Sequence, residues 1–438
     1  MTEAMLGRVH RDSSSASLIA HESRLIGPGL PKAVLWTELA ITHGEGASLF
    51  DSAGNRYLDF MGAGGVNSIG HGHPAVAEAV AAQMRRFTVG SFPSQARARL
   101  MDELAAVLPP KFDAVQLYSG GTEAVEAALR LAKSVTGRAE FLAFWGGFHG
   151  KTLGSAALTT NGRDAVAPLP GGYFNSPYAS TSVNDFGLAP DENAALCSRI
   201  AQETVKQNCS RLAAVVIEPV QGRSGNIVGH GRFLSDMDAL ARRHGALVIS
   251  DESMTGFGRT GAPFGFQHFP GFEPDILILG KGLGAGYPVT AVAAARELMS
   301  IGSFGDPSAS SSSFGGFPVA CTAAATTLEI IRTEQLTGNA AKLGEWLLTR
   351  LQQTLAGCPV VTDVRGLGLA LGIQLVDGKT TAGVPVTEAV FRALVDRGLL
   401  VMLGGTTLRL YPPLNVTQEE LSTAADILVD VLTGPTGE

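Results

Sequence analysis

The chain has 438 residues, 45% of them hydrophobic, and a formal net charge of −7. That length and apolar content suffice for a large core divided among two or three lobes. The acidic balance offers no basic field for a polyphosphate, which argues against nucleic acid as a partner, and no apolar run approaches the ~20 residues that span a bilayer.

In chain order, residues 1–17 are polar and Ser-rich and lack the apolar centre of a signal peptide; Arg8 and Arg11 hint at a transit peptide, but Glu3 and Asp12 oppose it. A cytoplasmic location is expected. Cys197, Cys209, Cys321 and Cys358 show no CxxC spacing, so reduced thiols are expected rather than a zinc site or a disulfide framework, and no metal. The 54 glycines concentrate between short apolar runs, the texture of strands and helices joined by tight turns. Apolar residues at spacings of three and four predict helices over 122–134 (TEAVEAALRLAKS) and 233–243 (FLSDMDALARR). Apolar runs predict buried strands at 213–217, 246–249 and 276–279, with FLAF at 141–144 also strand-like. This alternation predicts an α/β fold with a mostly parallel sheet covered by helices. The Ser-rich stretch 308–313 reads as a mobile loop. From about residue 328 the pattern changes to a long helix, strand candidates around 364–375 and 399–410, and a final helix over 418–432, a smaller α+β lobe.

Two residues stand where such sheets bind ligands. Asp251 follows the apolar run ALVIS and Lys281 follows ILILG, so an acid and an amine meet at strand C-terminal ends. Either alone has an ordinary reading, the acid as a helix cap and the lysine as a solvated charge. Their surroundings narrow the choice. Gly120, Gly121 and Thr122 open a helix whose free N–H groups can hold a phosphate, although Thr122 can also serve as a plain N-cap. Phe148 and His149, in WGGFHGKT, offer an aromatic face, or else a core phenylalanine beside a satisfied histidine. An amine for a Schiff base, a carboxylate for a ring nitrogen, a phosphate cradle and a stacking ring together match what pyridoxal 5'-phosphate (PLP) requires.

Nine ordered motifs extend this: LFDSAGNRYLDF (49–60), GHGHP (70–74), GGTEAVEAALRLAK (120–133), GGFHGKTLGS (146–155), IEPVQG (217–222), DESMTGFGRTG (251–261), PDILILGKGLGAGYPV (274–289), VRGLGLALGI (364–373) and RLYPPLNVT (409–417). Over about 49–428 the chain resembles the class III (ω-aminotransferase) family of fold type I PLP-dependent enzymes. The resemblance implies a large PLP domain over 76–327 built on a seven-stranded sheet. It also implies a segment 1–75 shared between the small domain and a dimer interface, and a small α+β domain over 328–438. Lys281 then forms the Schiff base and moves the proton, and Asp251 pairs with the ring nitrogen, supported by Glu218 and His149. Gly121 and Thr122 take the phosphate and Phe148 stacks on the ring. Ser313 reaches the phosphate of the neighbouring subunit, which makes the protein a homodimer with active sites at the subunit interface. Arg409 binds the carboxylate of glutamate or 2-oxoglutarate.

Three departures from the family pattern stand out. Ser253 and Met254 occupy the places of a valine under the ring and a glutamine bonded to its hydroxyl. Met254 has no donor for that oxygen. Arg223 stands where many members place a glutamate that masks the substrate-binding arginine, and it either binds a negative group of the substrate or turns outward. Phe317 replaces an asparagine.

The expected activity is a ping-pong amino transfer from glutamate to an aldehyde or ketone, in which the second substrate bears its amine away from an α-carboxylate: an ω-amino acid, a diamine, or an amino sugar of aminoglycoside antibiotic biosynthesis. The alternatives are an isomerase, epimerase, aminomutase or decarboxylase on the same fold. A non-catalytic PLP-binding protein is disfavoured by the retained Lys281 and Asp251.

Overall fold

Short β-branched runs bounded by glycine or polar residues assemble the main sheet of the computed structural model. The structure describes residues 13–27, 29, 36–160, 167–182 and 186–434, so most of the N-terminal stretch read for targeting signals lies outside the described residues. The sheet has seven strands in the order Ala114–Tyr118, Thr290–Ala294, Ile276–Leu279, Leu247–Asp251, Leu212–Ile217, Glu140–Phe144, Tyr173–Ser176. Thr290–Ala294 runs antiparallel to both neighbours, while the other adjacent pairs are parallel. Side chains alternate between the faces. Ile276, Ile278 and Val292 pack with Ala124, Ala128 and Leu131 of the helix Gly121–Thr136. Leu277, Leu279 and Val248 share a second cluster with Phe233, Leu234 and Met237 of Gly231–Arg243. Burial on both faces explains why these strands are continuously apolar.

The predicted elements lie within one to two residues of those observed, and the run at 276–279 coincides. Asp251 is the last residue of its strand rather than the first beyond it.

A second seven-stranded sheet draws on both parts of the chain, in the order Ile41–Glu45, Ser48–Asp51, Arg56–Phe60, Leu399–Gly404, Thr407–Leu410, Ala370–Leu375, Val361–Leu367. Each stretch expected as one strand candidate, at 364–375 and 399–410, folds as a two-stranded hairpin. At the tip of the first, Gly368 has φ of +53°, and a Cβ there would lie 2.4 Å from the Thr260 carbonyl carbon. Only glycine fits, and the hairpin is thereby seated against the loop that follows Asp251. The expected division between residues 327 and 328 falls inside the helix Pro318–Thr333, which packs against Pro74–Met84 and Gln95–Val107.

The serine-rich stretch is irregular but tied down: Ser310 is buried and its Oγ donates to the Phe304 carbonyl at 2.9 Å, and Ser311 Oγ donates to the Ser308 carbonyl at 3.0 Å. All four cysteines are buried thiols. Among the described residues no helix is long and apolar enough to cross a membrane, and no cluster of His, Cys, Asp and Glu is arranged to hold a metal.

Candidate active site

The C-terminal ends of five strands of the main sheet, those ending at Tyr118, Phe144, Ile217, Asp251 and Leu279, lead to Gly120–Thr122, Phe148–His149, Glu218, Asp251 and Lys281. This is the edge at which parallel α/β sheets bind ligands. His149 Nδ1 lies 2.8 Å from Asp251 Oδ2. The backbone N–H of His149 donates to Thr159 Oγ1 at 2.9 Å, which sets the ring's position. Asp251 Oδ1 accepts the Ser253 N–H at 3.1 Å. Glu218 accepts the Phe148 N–H at 2.8 Å and the Gly222 N–H at 3.2 Å, so it fixes both the aromatic turn and its own.

His149, Glu218 and Asp251 are all buried. Burial pushes Asp251 upward, but the hydrogen bond and charge of His149, with help from Ser253, outweigh it and hold the carboxyl below the usual range. Burial pulls His149 down, and the Asp251 bond reverses that, so the imidazole stays protonated to higher pH. Glu218 is driven up to about 7 by burial, against the pull of His149. The result is one carboxylate held ionised beside another that titrates near neutral pH.

Lys281 keeps part of its surface open, yet protein crowds its amine enough that burial lowers its pKa; Asp251 and Glu218 pull the other way and Arg409 adds to the lowering. Its φ is +44°, a left-handed backbone that costs a lysine roughly 1–3 kcal/mol. The turn is held by Ser68, whose Oγ donates to the Gly282 carbonyl at 2.9 Å. Ser68 belongs to MGAGGVNS, a stretch that sequence reasoning missed. Residues 62–65 have consecutive positive φ values of +48°, +49°, +71° and +93°, and Gly65 lies against Met254. The signal was present as a glycine run, although nothing in it names a chemistry.

At the start of the helix Gly121–Thr136 the first helical bond is Ala124 N–H to the Gly120 carbonyl, at 3.1 Å. The N–H groups of Gly121 and Thr122 precede it and stay outside the helix ladder. Glu123 turns back to accept the Ser119 N–H at 3.0 Å and the Ser119 hydroxyl at 2.9 Å, closing the cap without using those two amides. No atom lies within 4 Å of a Cβ placed on Gly120 or Gly121, so the cradle is open. A Cβ on Gly150, in contrast, would fall 2.3 Å from Thr122 Oγ1, which locates the Phe148–Gly150 turn beside that hydroxyl. Ser312 lies near Glu123 within the same chain. Ser313 is exposed and is not brought to this cluster within one chain.

Met254 is buried against Gly222 and Gly65. Arg409 is buried, with Nη1 donating to the Gly222 carbonyl at 3.1 Å and Nη2 to that of Leu403. The Arg223 guanidinium lies over Phe148, 4.7 Å from the ring centre. Phe317 caps the helix Pro318–Thr333 and packs on the core. Sequence reasoning also missed Tyr178, whose buried hydroxyl donates to the Glu218 carbonyl at 2.9 Å, and Tyr411, whose hydroxyl donates to Asn226 Oδ1 at 2.6 Å beneath Gly222.

An open helix N-terminus, a buried carboxylate–imidazole pair, an aromatic ring and a crowded amine at one sheet edge match the groups PLP needs, and with this fold they define a fold type I PLP-dependent enzyme. The model of the family described as Aminotransferase class-III matches residues 31–432. The acetylornithine aminotransferase of Methanothermobacter thermautotrophicus is 37% identical over 90% of this chain and 94% of its own length. The 2-aminoadipate transaminase of Pseudomonas putida is 33% identical over 90% and 95%. An amine transaminase from an uncultivated Pseudomonas species, solved with PLP bound, superposes with a TM-score of 0.85 at 30% identity, covering 93% of this chain and 98% of that one. The chain belongs to the class III aminotransferase family. It is a PLP-dependent aminotransferase.

Proposed function

We propose that Lys281 is the residue that attaches the cofactor and moves the proton of the transfer, in a homodimeric cytoplasmic enzyme that takes an amino group from glutamate and delivers it to a carbonyl acid. The observation that carries this reading is the Lys281 amine, buried within the field of Asp251 and Glu218 two residues past a strand end and set there by a left-handed backbone. Bound PLP supplies an aldehyde and a ring that accepts negative charge from the carbon bearing the transferred amine.

The chain's own residues divide the remaining work. Gly121 and Thr122 hold the phosphate with backbone N–H groups at the positive end of a helix. Asp251, kept ionised by His149, stabilises a proton on the ring nitrogen. Phe148 covers one ring face. Ser253 orients Asp251, and Met254 presents a thioether rather than a donor to the ring oxygen. Lys281 Nζ, whose pKa burial lowers, accepts a proton and returns it one position away. Glu218 fixes the turns of Phe148 and Gly222. Ser313 is assigned to the phosphate site of a second copy of the chain.

Relatives named for acetylornithine, 2-aminoadipate and 5-aminovalerate support an amino-acid-derived acceptor, such as a semialdehyde or oxo acid. The amino sugar raised by the sequence has no counterpart among them, and it would bring positive charge beside Arg223 and Arg409. The test is a half-reaction. Glutamate alone should bleach the visible absorption of the holoenzyme, and 2-oxoglutarate should restore it. Lys281→Ala should lose that absorption and at least about a thousandfold in rate. Racemisation or decarboxylation of an amine substrate without any bleaching would favour the isomerase or lyase reading instead.

A further inference from the structure

Beside the strand-end cluster two arginines stand together, with no ion pair to an acid among the described residues. Arg409 is 8% exposed, and its buried Nε–H has no partner among the described residues. A guanidinium offers five N–H donors; the carbonyls of Gly222 and Leu403 take two and the Nε–H is sealed beneath Gly404, which leaves one on each terminal nitrogen for a ligand. Arg223 sits in the exposed turn after Val220–Gln221 with its guanidinium on Phe148. Gly404 lies between the two: a Cβ there would fall 2.6 Å from the Arg223 carbonyl oxygen and 2.9 Å from Arg409 Nε. Their charges interact, since burial and then Arg409 lower the Arg223 pKa, and the Arg409 field extends to Lys281. The nearby acids are committed elsewhere, Asp251 to His149 and Glu218 to two backbone N–H groups. Crowding two guanidinium groups without a carboxylate is unfavourable unless an anion completes the arrangement.

We propose that Arg223 is a specificity-determining residue: with Arg409 it forms a two-armed clamp that selects substrates bearing two acidic groups and disfavours amines lacking them. This rests on the reading that the adjoining cluster is the reaction centre. Arg409 has enough free donors for one carboxylate in fork geometry. Arg223 is held in reserve, because a partly exposed cation–π contact is weaker than a charge-assisted hydrogen bond, so an arriving carboxylate takes it from Phe148. The same argument excludes a simple diamine, whose second charge meets two like charges and no acid.

Unreactive acids test the clamp apart from the chemistry. Glutarate carries two carboxylates and butyrate one, and the affinity of the holoenzyme for each is measurable by calorimetry. The wild type should prefer glutarate. Arg223→Gln should weaken glutarate by about tenfold or more while butyrate stays within about threefold, and Arg223→Lys should recover part of the loss. Unchanged glutarate affinity in Arg223→Gln overturns the proposal. So does an equal loss for both acids, which would mean that Arg223 serves only to position Phe148. Neither probe reacts, so failure here leaves the Lys281 reading intact, and failure of that reading appears in the glutamate bleaching experiment.

Discussion

Replacing Glu218 by glutamine removes a carboxyl that burial has driven up to about 7 from 4.5, against the opposing pull of His149. The folded chain therefore holds this proton more tightly than the unfolded one. The stabilisation is fully present below about pH 4.5 and is lost as the pH rises through about 7. A displacement from 4.5 to about 7 corresponds to roughly 3 kcal/mol. For 438 residues unfolding with ~2.1 cal/mol/K each, that amounts to about 3 °C in melting temperature. Glutamine cannot ionise, and its single carbonyl oxygen serves only one of the Phe148 and Gly222 N–H groups, a loss that does not depend on pH. Thermal unfolding of the cofactor-free protein between about pH 5 and 8 separates the two effects. The variant should gain about 3 °C on the wild type across that range, whatever its offset at the acidic end. Parallel melting curves at every pH would refute the claim that ionised Glu218 burdens the fold.

Gly150→Ala places a methyl 2.3 Å from Thr122 Oγ1 and 2.5 Å from Ser155 Oγ, at a residue whose φ is +140°. It should weaken PLP by about tenfold or more in a cofactor titration while the fold persists; undiminished affinity would remove Thr122 from the phosphate site. Gly344→Ala sets a methyl 2.1 Å from the Gly368 carbonyl oxygen, where helix and hairpin backbones touch. Denaturant titration should show a loss of about 1–3 kcal/mol, and a neutral result would mean that this contact relaxes freely.

The legible parts of the fold were those in which one residue property decides the outcome. Continuous apolar runs of four or five residues bounded by glycine or polar residues are too short for a helix and read as buried strands, and the period of TEAVEAALRLAK reads as one face of a helix. Asp251 and Lys281 were legible because one ends such a strand and the other stands two residues past the end of one. The hairpins at 361–375 and 399–410 were less so, since an apolar run interrupted by two residues reads alike as one bent strand or two paired ones. The approach of residues 62–68 to Lys281 was illegible for a different reason: the contact is made by backbone and a single serine hydroxyl across 214 positions of sequence. The Glu218 bond to the Phe148 N–H is similar, because one partner is an amide every residue possesses. The Arg223 stack on Phe148 depends on two turns meeting, which no local pattern encodes.

The parallel pairing of Leu58, Asp59 and Phe60 with Leu399, Leu400 and Val401 also constrains how the protein is made. The two partners are separated by about 340 residues, and a ribosome adding ~5–20 residues per second needs roughly 20–70 s to cross that gap. Throughout that interval Arg56–Phe60 has only Ser48–Asp51 beside it, and its other edge of N–H and C=O groups is a template for any passing strand. The second sheet thus makes the nascent chain wait, and crowded synthesis or overexpression should tax this protein at its beginning rather than at its chemistry.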